Sequence, residues 1–397
     1  MSTAAANAPL AGIRVLERSR GVAGAYAGRL LSTLGAETIL LEDHDGSPLR
    51  REPPMLQAGR GISAVFAYLA AGKRSLRCDP RIASDRRLLD RQLARADILI
   101  DDTPLSERAA CGLDADMLAA RHPQLVHASV LPFGASGAKA GWKGEEVNLQ
   151  HAGGEGYLLP NGLSNELFPD RPPLKIYGHF AAYQGGVAAA LAALTALWAR
   201  EAVGGQCVDV GVQDAVAAVG AFALQRLGDG SLEHRTTRRF RYGGVFEASD
   251  GFVEFLMLED RQWDAFVELL GRPAWAMAPA LSDPLERSRR GDEINTQIRA
   301  WSRHQVVDDM VARAQSLGVP AAKYRDPAEV LHGAHERARD LFTRVELPDG
   351  TDAEVLVAPF QFRCTPLQIG AGVPALGEYN EEDDGAPVAA AVVEETT

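Results

Sequence analysis

Residues 13–42, IRVLERSRGVAGAYAGRLLSTLGAETILLE, decide the architecture of this chain. Ile13–Glu17 (IRVLE) is a short apolar run bounded by polar residues and reads as a buried strand. Gly21, Gly24 and Gly28 open a helix that runs to about Leu34, and Glu37–Glu42 (ETILLE) reads as the next strand. Strand, helix and strand in this order make a βαβ unit with parallel strands. The glycines are spaced GxxGxxxG and not GxGxxG, so a nicotinamide site is weakly supported. Glu42 and Asp43, ending the second strand, do imitate a ribose-binding carboxylate; capping or solvation is the competing reading.

Outward from this unit the alternation continues. Arg86–Ala96 is helical and Asp97–Asp101 a strand; Asp114–His122 is helical and Leu125–Val130 a strand. Gly185–Glu201 is a long Ala/Leu helix closed by Gly204 and Gly205, followed by strand Cys207–Val212 and helix Asp214–Leu227. Such a pattern predicts an α/β fold, with a doubly wound, Rossmann-like large domain over residues 9–227. Residues 228–242 are polar and rich in Gly and Arg, and read as a linker. A small α+β domain is expected over 243–330, with a hairpin, Val245–Met257, turning at Ser249-Asp250-Gly251. Residues 331–380 form a return segment that completes the large domain from the other chain end. Residues 1–8 read as a leader, and the acidic, then alanine-rich stretch 381–397 as a disordered tail.

The chain has 397 residues, 46% of them hydrophobic, and a net charge of −12. Two or three domains with a large core are expected from that length. The acidic balance argues against nucleic acid and anionic membranes as partners. Cys78, Cys111, Cys207 and Cys364 form no CxxC pair, so reduced thiols and no metal site are expected. No basic region precedes an apolar run at the N-terminus, and the apolar run Gly186–Ala199 falls short of the ~20 residues of a bilayer span. A cytoplasmic protein is the expectation.

Residues 172–186, PPLKIYGHFAAYQGG, place His179 between an extended, proline-led segment and the long helix, where a side chain points into the site such junctions build. A series of motifs around it resembles one family in order. Residues 9–42 resemble the opening of the class III CoA-transferases, the superfamily of formyl-CoA transferase, carnitine CoA-transferase and 2-methylacyl-CoA racemase. Gly46–Arg50 (GSPLR) is similar to the family's Gly-Asp-x-x-Arg, and Gly72–Ser75 (GKRS) to its Asn-Lys-Arg-Ser. His122–Gly134 (HPQLVHASVLPFG), Gly141–Gly154 (containing GEEVNLQHAGG), Arg200–Ala215 (containing GGQCVDVGVQDA) and Leu376-Gly377-Glu378 resemble later family motifs.

The resemblance implies a large domain built from both chain ends, an inserted small domain and an interlocked dimer. It implies acyl-CoA and a carboxylic acid as substrates, with no permanently bound cofactor. The family's nucleophile is an aspartate, and its position holds His179 here. In the racemase branch a histidine near the start of the Gln-containing helix works with that aspartate; here those two places hold Glu145 and His179, so carboxylate and imidazole are exchanged. Glu145 and Glu146 are therefore catalytic candidates beside His179, with helix-dipole partnership as the alternative. Arg50, Lys73, Arg74, Arg108, Lys139 and Gln150 are candidate CoA contacts, and Gly243-Gly244 the nearest match to the family's glycine loop. The run Arg235–Arg241 (RTTRRFR) offers CoA phosphates or a partner chain a dense positive charge.

Three functions follow. The first is a subunit without its own nucleophile, paired with a related catalytic chain. The second is a self-sufficient acyl-CoA isomerase, racemase, lyase or hydrolase using His179 with Glu145 or Glu146. The third is a non-enzymatic acyl-CoA-binding protein. His179 itself is a nucleophile, an acid/base, or a neutral ring in a structural hydrogen bond.

Overall fold

The computed structural model describes residues 8–57, 61–159, 170–220, 241–367, 369–370 and 372–380. The leader to residue 7, the end of helix 214–227, the arginines of RTTRRFR before Arg241 and the tail 381–397 lie outside the described residues.

Two compact units divide the chain. The first takes residues 1–156, 175–222 and 334–397. Its centre is a parallel six-stranded sheet ordered β3-β2-β1-β4-β5-β6. The strands are β1 (Arg14–Arg18), β2 (Glu37–Glu42), β3 (Arg74–Arg77), β4 (Ile98–Asp101), β5 (Val126–Leu131) and β6 (Cys207–Gly211). Helices α1 (Val22–Thr33), α2 (Ala64–Ala70), α3 (Ala83–Leu93), α4 (Leu105–Cys111), α5 (Ala115–Arg121), α6 (Glu146–Ala152), α7 (Phe180–Val203) and α8 (Val212–Val219) connect and cover them. Strand order reverses between β1 and β4, which is where doubly wound sheets bind ligands, outside the carboxyl ends of the strands.

All five residues of β1 and all six of β5 are buried, so these strands read as continuous runs, as central parallel strands do. One face packs Val15, Ile98, Ile100, Val126, Ala128 and Val130 against α1, α7 and α8. The other packs Leu16, Leu41, Leu76 and Leu99 against α3 and α5. The glycines of the opening motif serve packing. A Cβ on Gly28 would lie 1.7 Å from Glu17 Oε2, and one on Gly24 2.4 Å from Ser19 Oγ. Gly185 and Gly186 lie inside α7 and not at its start, because the helix begins five residues earlier than its alanine pattern suggests. A Cβ on Gly186 would stand 2.7 Å from the Ala23 carbonyl, so α1 and α7 cross in close contact. By length and composition α7 could cross a membrane. Its Ala181, Ala189, Ala193 and Ala196 are nevertheless buried in the sheet's core.

The return segment adds the antiparallel pair β10 (Phe342–Glu346) and β11 (Asp352–Leu356). Val345, Leu347 and Val355 pack with Leu40, Phe66 and Leu69 from the chain's first seventy residues. Buried Arg29 ties the two ends, donating to the carbonyls of Ala71 and Leu356. Strand β3 and helix α2 were not expected. Only Ser75 and Leu76 of RSLR are buried, so β3 carries no apolar signal.

The second unit takes residues 157–174 and 223–333. It contains β7 (Gly244–Glu247), β8 (Phe252–Phe255) and β9 (Ala321–Lys323) in one antiparallel sheet, the first two forming the expected hairpin. Its core is aromatic, built from Tyr242, Phe246, Phe255, Trp263 and Phe266.

Candidate active site

In the first unit a cavity of about 550 Å³ opens at the carboxyl edge of β4 and β5, where the N-termini of α1, α6 and α7 converge. Three elements bring His179 there. Gly178 has φ +82°, a left-handed turn that reverses the chain before the helix. Gln150, fully buried on α6, accepts the Ile176 N–H at 2.9 Å and fixes the segment leading in. His179 itself is the N-cap of α7. Its Nε2 lies 3.9 Å from Glu52 Oε1, and its ring edge meets Tyr183 at 6.4 Å between centroids.

The two glutamates line the same cavity. Glu146 accepts the N–H groups of Ala181 (2.7 Å) and Ala182 (3.1 Å). Its carboxylate thus fills the positive end of α7, although the residue belongs to α6. Glu145 is the N-cap of α6 and pairs with Asn148 in a capping box, with Asn148 Oδ1 accepting the Glu145 N–H at 3.0 Å. The dipole reading of these residues is met, but for Glu146 at a neighbouring helix.

Asp102 was missed by sequence reasoning. It sits just past β4, lines the cavity, and accepts Gly21 N–H at 2.7 Å and Arg20 N–H at 2.7 Å. Burial pushes its carboxyl up to about 6, against the pull of those backbone donors. The signal was available in Asp101-Asp102 at the carboxyl end of a central strand. With Glu52, Glu145 and Glu146, four carboxylates face two fixed cations, Arg20 and Lys175, around the cavity. All three helix N-termini already hold a carboxylate: Asp102 at α1, Glu145 at α6 and Glu146 at α7.

The basic candidates fare differently. Lys73 is 1% exposed and donates to Glu17 Oε2 at 2.5 Å and the Ala25 carbonyl at 2.8 Å. Arg108 is buried, held by the Thr103 carbonyl, Ser129 Oγ and Asp101. Arg50 grips Glu42 with Nε and Nη2 at 2.7 and 2.6 Å and stacks over Phe66. The donors of these three are turned inward onto carboxylates, carbonyls and a hydroxyl. Gln150 tethers the segment that leads to His179. The ribose-like pair is also engaged, Glu42 with Arg50, Ser47 and Ser75, and Asp43 with Arg18 and Arg81. Arg74 stacks over Tyr379. Gly243 precedes β7 of the second unit and donates its N–H to Asn295 Oδ1, and Gly244 opens the strand.

Lys139 is exposed and stands over the rings of Phe133 and Trp142 at 5.5 and 5.8 Å. These residues, with Lys143 and His151, line a second hollow of about 360 Å³, and Val147 is part of the wall of both. Among the described residues no cluster of His, Cys, Asp and Glu suits a metal ion.

A family model described as CoA-transferase family III matches residues 10–380. The chain is 27% identical over 387 residues to the succinyl-CoA–D-citramalate CoA-transferase of Chloroflexus aurantiacus, covering 94% of this chain and 92% of that one. It is 25% identical over 387 residues to the succinyl-CoA–L-malate CoA-transferase beta subunit of the same organism, covering 94% and 93%. The crystal structure of a CAIB/BAIF family protein from Brucella suis matches with a TM-score of 0.83 at 28% identity, covering 95% of this chain and 98% of that one.

Proposed function

The chain belongs to CoA-transferase family III, and from that membership we propose that it is a nucleophile-free subunit that pairs with a related, carboxylate-bearing chain. As a member it acts on acyl-CoA thioesters. The finer reading rests on one observation: the N-cap of α7 carries an imidazole, while Glu146 beside it is engaged by two backbone N–H groups of that helix. A carboxylate can pass through an anhydride and a thioester and be regenerated. Acylated His179 would be an acyl-imidazole, which water cleaves, so CoA transfer would leak into hydrolysis. The cavity's charge supports the same reading, since Asp102 and Glu146 occupy helix ends that would otherwise receive a developing oxyanion. A relative of similar length is named as a beta subunit.

In this reading the chain supplies a binding surface and an interlocking fold. Lys139, Lys143 and Trp142 are the exposed cationic and aromatic groups suited to the phosphates and base of CoA. The test is native mass spectrometry of the tagged protein from its own host, with turnover measured on the purified species. A complex with a similar second chain, whose activity survives His179→Ala, supports the proposal. An active homodimer overturns it.

One distance favours a second reading. Glu52 stands 3.9 Å from His179 Nε2, a pair able to move a proton on a bound acyl-CoA. Its signature is an active homodimer that loses ~10²-fold or more in kcat on His179→Ala.

A further inference from the structure

Away from the cavity, three chemically active side chains share one face of the sheet. His127 on β5 has Cys207 on the edge strand β6 as its register partner, and Asp101 ends β4 one pleat further along. His127 is only 3% exposed. Its Nε2 lies 3.3 Å from Asp101 Oδ2. Its Nδ1 is buried and makes no hydrogen bond of good geometry among the described residues. Cys207, opposite it in the strand register, bears on the ring's charge together with Asp101. Arg108 of α4 faces Asp101 from the other side at 3.2 Å, donating also to Ser129 Oγ. Cys207 is exposed. It lies five residues before Val212 of the cavity wall, about 16 Å along an extended strand.

We propose that Cys207, His127 and Asp101 form a reactive-thiol site, separate from the acyl-CoA cavity, that takes small electrophiles such as peroxides. Burial alone would lower the basicity of His127, but the hydrogen bonding and charge of Asp101, with those of Cys207, outweigh it and carry the ring up to about 9. Burial likewise opposes ionisation of Asp101, and His127 and Arg108 reverse that, keeping its carboxyl below the ordinary range. The ring is therefore a cation at neutral pH, and its free Nδ1–H can stabilise a neighbouring thiolate. With hydrogen peroxide, the thiolate attacks one oxygen and the O–O bond breaks. The imidazolium gives its Nδ1 proton to the departing hydroxide. The products are a sulfenic acid on Cys207, neutral His127 and water; sulfur gives up the electron pair that peroxide gains.

Cys364 is also exposed, while Cys78 and Cys111 are buried, so the chain carries its own control thiol. The experiment treats the full-length protein with limiting iodoacetamide from about pH 5.5 to 9.5 and follows Cys207 and Cys364 by peptide mass mapping. Cys207 is expected to react about ten-fold faster than Cys364 at pH 6.5. After hydrogen peroxide, dimedone should trap a sulfenic acid on Cys207 and not on Cys364. His127→Gln should bring the Cys207 rate at pH 6.5 to that of Cys364. Equal rates at pH 6.5 in the wild-type protein, or an unchanged Cys207 rate in His127→Gln, would overturn the proposal. The wild-type comparison decides alone should the variant fail to fold.

Discussion

Replacing Lys73 with methionine separates a structural lysine from a ligand contact. Lys73 Nζ has two neighbours that hold it, the Glu17 carboxylate at 2.5 Å and the Ala25 carbonyl, and the pair is 1% and 0% exposed in its side chains. Methionine keeps the volume and removes the charge, leaving Glu17 buried without a cation. Breaking one side of such a pair costs about 3–5 kcal/mol, far above an exposed pair's contribution. The cost should depend on pH. Burial already raises Glu17 from 4.5 to about 7, with Lys73 pulling the other way. Removing Lys73 raises it further. A group raised in the folded state favours folding fully below its unfolded value, and that contribution is lost as pH rises through the folded value. Below about pH 7 the folded-state Glu17 is protonated in both chains, so the charge-linked penalty of Lys73→Met should be small there and grow as pH rises above 7. Glu17→Gln in the same chain should restore part of the loss. Urea unfolding of the first unit's signal at pH 5 and pH 8 measures this, alongside KM for acyl-CoA. A stability change under about 1 kcal/mol at pH 8 with a raised KM would refute the buried-pair argument and return Lys73 to the ligand site.

Other outcomes follow from the same geometry. Glu146→Ala should remove the cap on α7 and lower stability by about 0.5–2 kcal/mol in thermal or urea unfolding, since two of the helix's first N–H groups lose their acceptor. Asp102 sits near 6 in the folded chain, so anionic acyl-CoA should bind more tightly as pH falls through that value, and Asp102→Asn should flatten the dependence; titration calorimetry from pH 5 to 8 checks both. His127, raised from 6.5 to about 9, contributes stability that is complete below pH 6.5 and lost as pH rises through about 9; a decline of up to about 3 kcal/mol in unfolding free energy over that window is expected.

The sheet was legible because its strands are unusually plain. IRVLE, ETILLE, DILID and LVHASV are compact apolar runs, and parallel strands buried on both faces need no alternation to be found. Strand β3 escaped because a central Ser-Leu between arginines has no such run, and only pairing with β2 explains it. The start of α7 was placed late because Gly185-Gly186 look like a boundary, whereas they are the contact point of two crossing helices. At the site, the position of His179 could be read from its motif. The engagement of Lys73, Arg50 and Arg108 could not, since a ligand-binding cation and a buried ion pair are written with the same letters. Their partners Glu17, Glu42 and Asp101 are 56, 8 and 7 residues away in sequence, and only the fold shows which carboxylate each one meets.

Arg29 reaches the Leu356 carbonyl across 327 residues of sequence. A ribosome delivers the six-stranded sheet long before it delivers β10 and β11. Until then Leu40, Phe66 and Leu69 lack the Val345, Leu347 and Val355 that pack with them. The nascent first unit therefore waits as an open, apolar-faced intermediate while the inserted unit, contiguous but for one short segment, can fold on its own schedule. Chaperone demand during synthesis should concentrate in that interval, and a chain released before residue 342 should aggregate even though its whole parallel sheet has been made.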